Sequence, residues 1–440
     1  MSEHTADESS ADPGQGAPDP AGQSGADSAD SRIVGGWKFL PAYFLANAAM
    51  FAVFQGMQQI LLPSQIASID PEGKVLGFGL LSSIGALAAA VGNPLFGSLS
   101  DRTRSRFGRR TPWLIASSAL ALLLLLVLAR MTAMFWLAAS YILVMLVMSA
   151  YQAVIMAVMP DRVPERRRGL ASAVLGIASS LGTILAINLT AGFVERPWVG
   201  YLVVGALLVV AAWVLSVFAP DPTRHSPPAA SAPAAKSFRE RMEFFSALAD
   251  HDYAWMFWTR ALLMVGSWTV MTFQMYILQD YIGEQNLPGG GLARAVALLG
   301  TAQLIAMLAS MAVVGPLSDK FRRRKPFVLI AAAGYGLAAL IPVFAPTWTG
   351  MVTYVAVGGV FFGSFNAVDG ALGTLVLPDK EHQARDLGLL TVASTGPQIA
   401  GPFVAAAIIT LTGTYAAIFV VGAVCAVLAG IGVMKIRKVK

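Results

Sequence analysis

One cysteine, four histidines and 13% charged residues are all that this 440-residue chain offers of the groups from which most active sites are built. The lone Cys425 excludes an internal disulfide framework and leaves no cysteine cluster for a metal. His4, His225, His251 and His382 all lie outside the long apolar runs, so a histidine proton relay inside those runs is excluded. No "HExxH", phosphate-cradling loop, "GxSxG" or Cys/His constellation is present, and the reading is of a non-enzyme with no cofactor and no metal.

Apolar residues fill the space that charge leaves. The chain is 56% hydrophobic with a mean hydropathy of +0.64, too apolar for an ordinary water-soluble domain. A membrane-spanning helix needs about 20 mostly apolar residues. Runs of that length recur at 39–62, 76–99, 112–130, 132–159, 170–194, 198–219, 253–282, 292–317, 326–346, 348–377, 386–412 and 414–434. The expected fold is therefore an all-α membrane protein of twelve transmembrane helices. Residues 1–36 form an acidic tail: the first 31 carry seven acids and no Lys or Arg, a composition expected to be disordered. It has neither the basic nor the apolar region of a cleaved signal peptide.

The basic residues are placed unevenly. With the N-terminus set on one side, 26 of the 31 Lys and Arg fall on that side and four, Lys74, Arg130, Arg196 and Arg294, on the other; Arg260 lies inside a span. That asymmetry predicts both termini in the cytoplasm. The net charge of +6 then reflects topology and the lipid surface, not nucleic acid.

Two landmarks repeat at one offset. Ser100-Asp101 pairs with Ser318-Asp319, and "MPDRVPERRRG" from Met159 pairs with "LPDKEHQARDLG" from Leu377, both 218 residues apart. Six spans were duplicated, giving halves at 37–219 and 253–436, a cytoplasmic linker at 220–252 rich in Pro, Ala and Ser, and a basic end at 437–440. Parallel six-span halves related by an axis along the membrane normal are a known transporter plan.

The loop "GSLSDRTRSRFGRRTP", with Gly97, Asp101, Arg102, Gly108, Arg109, Arg110 and Pro112, resembles the signature of the major facilitator superfamily between its second and third spans. Its long spacing ending in "GRRTPW", together with "AVDGALGTLVLPD" and "ARDLGLLTVASTGPQIAGP", resembles the glycoside-pentoside-hexuronide cation symporters and the related sucrose carriers. The resemblance implies a secondary carrier of a small polar solute, a glycoside or saccharide, across the cell membrane, working as a monomer. It also implies a cytoplasmic gate in which Asp101 bonds across to the other half while Arg102, Arg109 and Arg110 clamp the loop, with Asp319 and Arg323 as counterparts. Gly97 and Gly108 are expected to serve helix packing and a turn. The rival readings are an exporter of an amphipathic drug and a non-transporting receptor of the same fold.

In that family the first, fourth, seventh and tenth spans line the cavity. Asn47, Phe51, Gln55 and Gln58 share one helical face, and such a stripe either glues helices or lines water. Gln152 sits among Met145, Met148 and Met156 on the fourth span, a face that is equally a packing stripe. The seventh span offers Trp268 and Gln274, the tenth Asn366 and Asp369. Asp369 lies ten residues from Asp379 at the cytoplasmic end, about 15 Å along a helix and close to the midplane, where a carboxylate is costly and points to function. Arg260 reaches a similar depth, so an Arg260–Asp369 pair is expected, either structural or as the proton site. The spans at 39–62, 76–99 and 132–159 hold no acid, which argues against sodium and for protons as coupling ion, or for uniport. Pro397 and Pro402 are expected to bend the eleventh span.

Overall fold

A computed structural model describes residues 38–105, 107–164, 167–218, 246–289, 291–321, 324–376 and 383–437. Its long helices are α1 (Phe39–Ile69), α2 (Lys74–Arg102), α3 (Thr111–Leu128), α4 (Met134–Arg162), α5 (Arg168–Ala191) and α6 (Pro197–Phe218) in the first half. The second half holds α7 (His251–Thr272, continued by Gln274–Asn286), α8 (Gly291–Phe321), α9 (Lys325–Phe344), α10 (Trp348–Leu375), α11 (Gln383–Thr412) and α12 (Ala416–Lys435). Counting the bent α7 as one span, twelve helices are long and apolar enough to cross a membrane, and the described residues include no strand. The tail, much of the linker, Arg323 and the first half of the second repeat landmark lie outside the described residues.

Local signals start the helices where the sequence changes character. Pro112 and Pro326 stand in the first turns of α3 and α9, each just after a basic loop, where a missing N–H costs nothing. The Asp250 carboxylate caps α7 by accepting from the N–H groups of Asp252 and Tyr253, and Thr347 caps α10. Gly108 turns the chain between α2 and α3 at φ 95°, a conformation that side chains disfavour.

The duplication is visible in packing. In the first half α1 packs on α5 and α6, α2 on α4, and α3 on α4 and α6; in the second, α7 packs on α11 and α12, α8 on α10, and α9 on α10 and α12. The halves meet where α2 lies along α11 and α5 along α8, contacts that exchange under the same two-fold relation. Close approach uses small residues, as in membrane bundles generally. Gly182 of α5 sits against the Ala48 backbone of α1, and Gly401 of α11 sits against Trp268 of α7, where an added Cβ would come within 2.9 Å of the Trp268 Cβ. Large apolar side chains such as Trp213, Leu337 and Leu411 stay exposed on the outside, a surface suited to lipid.

One feature departs from expectation. Helix α11 carries Pro397 and Pro402 within its length, while α7 bends by 52° at Phe273, a stretch with neither Pro nor Gly. Thr269 and Thr272 there turn their hydroxyls back onto the carbonyls of Val265 and Trp268, a contact that loosens a helix, and a π-helical segment, Ile277–Gly283, follows. A second π segment, Met57–Leu61, occupies the matching place in α1. The helix that opens each half thus carries a wide turn toward the same end, and such turns gather at functional sites.

Candidate functional site

The two halves enclose a cavity of about 560 Å³, within the usual range for small-molecule sites. Eight helices line it. Gln55, Gln58 and Gln59 come from α1, Asn93 from α2, Gln152 from α4, Ser180 and Thr183 from α5, Trp268 and Thr272 from α7, Gln303 from α8, Phe362 from α10 and Gln398 from α11. Phe51, Phe54, Met145, Met271 and Met307 add apolar wall. None of the described residues that line it carries a formal charge. The Asn93 amide donates to the Gln152 side-chain oxygen at 3.4 Å, tying α2 to α4 across the floor of polar groups.

Of the residues singled out from sequence, Gln55, Gln58, Gln152 and Trp268 face this cavity. Asn47, Gln274, Asn366 and Asp369 do not line it. The Asn47 amide donates to the Tyr43 carbonyl and that of Asn366 to the Phe362 carbonyl, so both are partly satisfied by their own helices. Gln274 lies just past the bend of α7, which turns it away from the face that Trp268 and Thr272 present. The polar lining from α2, α5, α8 and α11 was missed, although Asn93, Gln303 and Gln398 are amides inside apolar runs.

Asp369 and Arg260 form the expected pair at 2.5 Å, with Asp369 only 6% exposed. Arg260 also donates to the backbone oxygens of Leu390 and Asp369. The pair therefore fastens α7, α10 and α11 to one another inside the second half.

At the basic end, Arg110 is 4% exposed and binds Asp101 at 2.7 Å, Asp161 at 3.0 Å and the Ser100 hydroxyl at 2.9 Å, while Arg109 binds Asp161 at 2.9 Å. Arg102 is exposed at the end of α2. Gly97 is in ordinary contact with Ala153 of α4. The clamp by Arg109 and Arg110 is present, but Asp101 bonds within its own half and not across to the other. Its partner there is supplied by the start of α3, and Asp161 at the end of α4 completes the cluster. Asp319 stands in the last turn of α8.

The halves are joined toward the opposite end. Lys74 at the start of α2 pairs with Asp280 of α7 at 2.7 Å, reaches Gln279 at 3.2 Å and lies over the Tyr276 ring. The Tyr276 hydroxyl donates to the Pro63 carbonyl, Tyr415 donates to Asp280, and Asn188 donates to Thr301. Phe78 meets Phe273 and Tyr276 edge-on, closing the space between α2 and α7.

Twelve spans in two matched halves around a shared cavity define a membrane transporter. The chain belongs to the Major Facilitator Superfamily, whose profile matches residues 39–295 and 290–439. The crystal structure of the nucleoside transporter NupG, in a point-mutant form, is similar at a TM-score of 0.69 and 15% identity, covering 91% of this chain and 100% of that one. A bacterial homologue of the human lysosomal transporter Spinster, inward-facing and occupied, is similar at a TM-score of 0.64 and 15% identity, covering 90% of this chain and 95% of its own. The same homologue in its inward-facing, unoccupied form is similar at 0.59 and 15% identity, covering 90% and 93%. No curated protein matches the chain.

Proposed function

We propose that this protein is a secondary active transporter that carries a small, uncharged, polyhydroxylated solute, a glycoside or saccharide, across the cytoplasmic membrane by alternating access, driven by protons. The observation that carries this reading is the cavity: amides, hydroxyls and the Trp268 indole converge on it without a single charge. A sugar presents hydroxyls that both donate and accept, which side-chain amides match in both senses. Its apolar ring faces stack on an indole. A charged solute buried there would lack a counter-charge. The basic end is then the cytoplasmic one, as the distribution of Lys and Arg supports. The contacts at the opposite end close the outer face, and the protein acts as a monomer.

Protons enter this reading through Asp369, the acid held by Arg260 beside the cavity's helices and not in its wall. Among the described residues the cavity wall offers amide and hydroxyl oxygens but no carboxylate to balance the charge of a sodium ion.

Flux in proteoliposomes tests the proposal, with panels of saccharides, nucleosides as N-glycosides, and amphipathic drugs. The expected result is saccharide accumulation driven by a pH gradient and abolished when Asp369 is replaced by Asn, while downhill exchange persists. Gln152→Leu and Gln303→Leu should each raise KM by roughly 3- to 10-fold, the loss of about one hydrogen bond, with little change in the maximal rate. The Met and Phe wall favours a second reading, an exporter of amphipathic compounds. Transport of the drugs alone would establish it and end the saccharide reading.

A further inference from the structure

The second half contains buried polar groups that the cavity does not use. Asp386, in the first turn of α11, is 0% exposed. Its Oδ1 accepts from Arg385 at 2.9 Å, whereas its Oδ2 is buried with no hydrogen-bond partner among the described residues. The Asp386 carbonyl accepts from the hydroxyl of Tyr253, itself fully buried on α7. Arg260 follows Tyr253 by seven residues on the same face of α7, about 10 Å deeper. It donates to the carbonyl of Leu390, one turn beyond Asp386 on α11, and it pairs with Asp369. Asp369 Oδ1 and Arg260 Nε are likewise buried without a partner among the described residues.

These groups form a file running from the basic end into the core of α7, α10 and α11: Asp386, Tyr253, Arg260, Asp369. None of them lines the cavity. Two carboxylates each keep an oxygen that lacks a donor, at sites where an unmatched acceptor is costly and where a proton, alone or on water, supplies the missing hydrogen. Asp379, Lys380, Glu381 and His382, which precede α11, lie outside the described residues. His251 and Asp252 pair at 3.1 Å, and Asp252 also accepts from the Arg437 backbone N–H.

We propose that this file is a proton site with its own access from the cytoplasm, in which Asp386 is the outer and Asp369 the inner acceptor, separate from the substrate cavity. Its purpose rests on the proton-coupled reading above; its chemistry does not. A proton from cytoplasmic water binds Asp386 Oδ2. It passes by way of intervening water to Asp369 Oδ1, and Asp386 returns to a carboxylate. Arg260 keeps its proton throughout. Neutralising Asp369 removes the charge attraction between α10 and α7 and leaves them tied only by the bond of Arg260 to the Asp369 backbone oxygen. Proton and solute then influence each other through the packing of α7, α10 and α11, not by competing for one place.

Infrared difference spectra of the protein in liposomes after a pH drop, with no solute added, test the site directly. Wild type is expected to show carboxyl C=O bands from two buried acids, with Asp369→Asn and Asp386→Asn each removing one. In Asp386→Asn the Asp369 band should grow about tenfold or more slowly, the scale of losing a positioned proton carrier. Asp386→Glu should restore the rate, and unchanged backbone amide bands would show that the variants are folded. An Asp369 band that grows at the wild-type rate in Asp386→Asn overturns the proposal, as does the absence of any band lost on replacing Asp369. If the bands behave as expected but no solute in the flux panels accumulates with the pH gradient, the site stands and the coupling reading fails.

Discussion

Replacing Arg260 by leucine should lower the apparent Tm of the protein by at least about 5 °C, and replacing Asp369 by leucine as well should recover most of it. Arg260 and Asp369 are 12% and 8% exposed in their side chains and meet at 2.5 Å. Removing one partner of such a pair costs about 3–5 kcal/mol, because the other charge stays buried without compensation. The two single variants are not equivalent. Without Arg260 the Asp369 carboxylate loses its partner entirely on Oδ2 and already lacks one on Oδ1. Without the Asp369 carboxylate, Arg260 still donates to the backbone oxygens of Leu390 and Asp369. Arg260→Leu should therefore be the more damaging, Asp369→Asn milder, and the double apolar variant close to wild type. Thermal unfolding in one detergent, followed by tryptophan fluorescence, makes the comparison. A double variant as unstable as Arg260→Leu would show that the pair is not what holds α7, α10 and α11 together.

The second large effect concerns the end opposite the basic loops. Lys74, Asp280 and Tyr415 join α2, α7 and the turn before α12 in one charge-assisted cluster. Burial, and then the adjoining Asp280 carboxylate, push the ionisation of Tyr415 up, so its hydroxyl remains a donor. Hydrogen bonds to a charged group are worth about 1.5–3 kcal/mol each in favourable settings. The Lys74 contacts cross between the halves and so stabilise the conformer that is closed at this end, while the Tyr415 bond, within the second half, holds Asp280 in place for them. Asp280→Asn should thus shift the population toward the form open at this end by roughly tenfold or more, since 1.4 kcal/mol is one decade. Cysteines introduced at Ser82 and Ala86, on the cavity face of α2, would read the shift as faster labelling by an impermeant thiol reagent added on the side of this end. Labelling rates equal to those of the parent protein would mean that the aromatic contacts of Phe78 hold the closure unaided.

The spans and the duplication were legible because length and an offset of 218 residues survive any change of detail. Which side of each helix faces inward was harder to read. In a membrane the packed face and the lipid face are both apolar, so the helical period loses its direction and only polar residues point. Gln55, Gln58 and Gln152 pointed to the cavity. Asn47 and Asn366 did not, because an amide that bonds the carbonyl four residues earlier needs no water-filled wall beside it. The Arg260–Asp369 pair could be anticipated, since two opposite charges at one depth have few other partners. The bend of α7 could not, as its cause is a pair of threonines and a π turn and not the proline that usually marks a kink. The gate loop showed its clamp through its arginines, but not the half to which Asp101 binds, which depends on the end at which the molecule is closed.

The uncharged wall also determines what the membrane potential can act on. A neutral solute in a neutral cavity adds no charge to the part of the protein that moves, so loading and unloading are indifferent to voltage. On the proton-coupled reading proposed above, the electrical work of a cycle would fall on the proton alone: each one that crosses the full field contributes about 2.3 kcal/mol per 100 mV. With one proton per solute, a cell holding an interior-negative potential of about 100 mV could concentrate the solute roughly fiftyfold from voltage alone. Turnover would then, on that reading, draw a current even though the solute itself is electrically neutral.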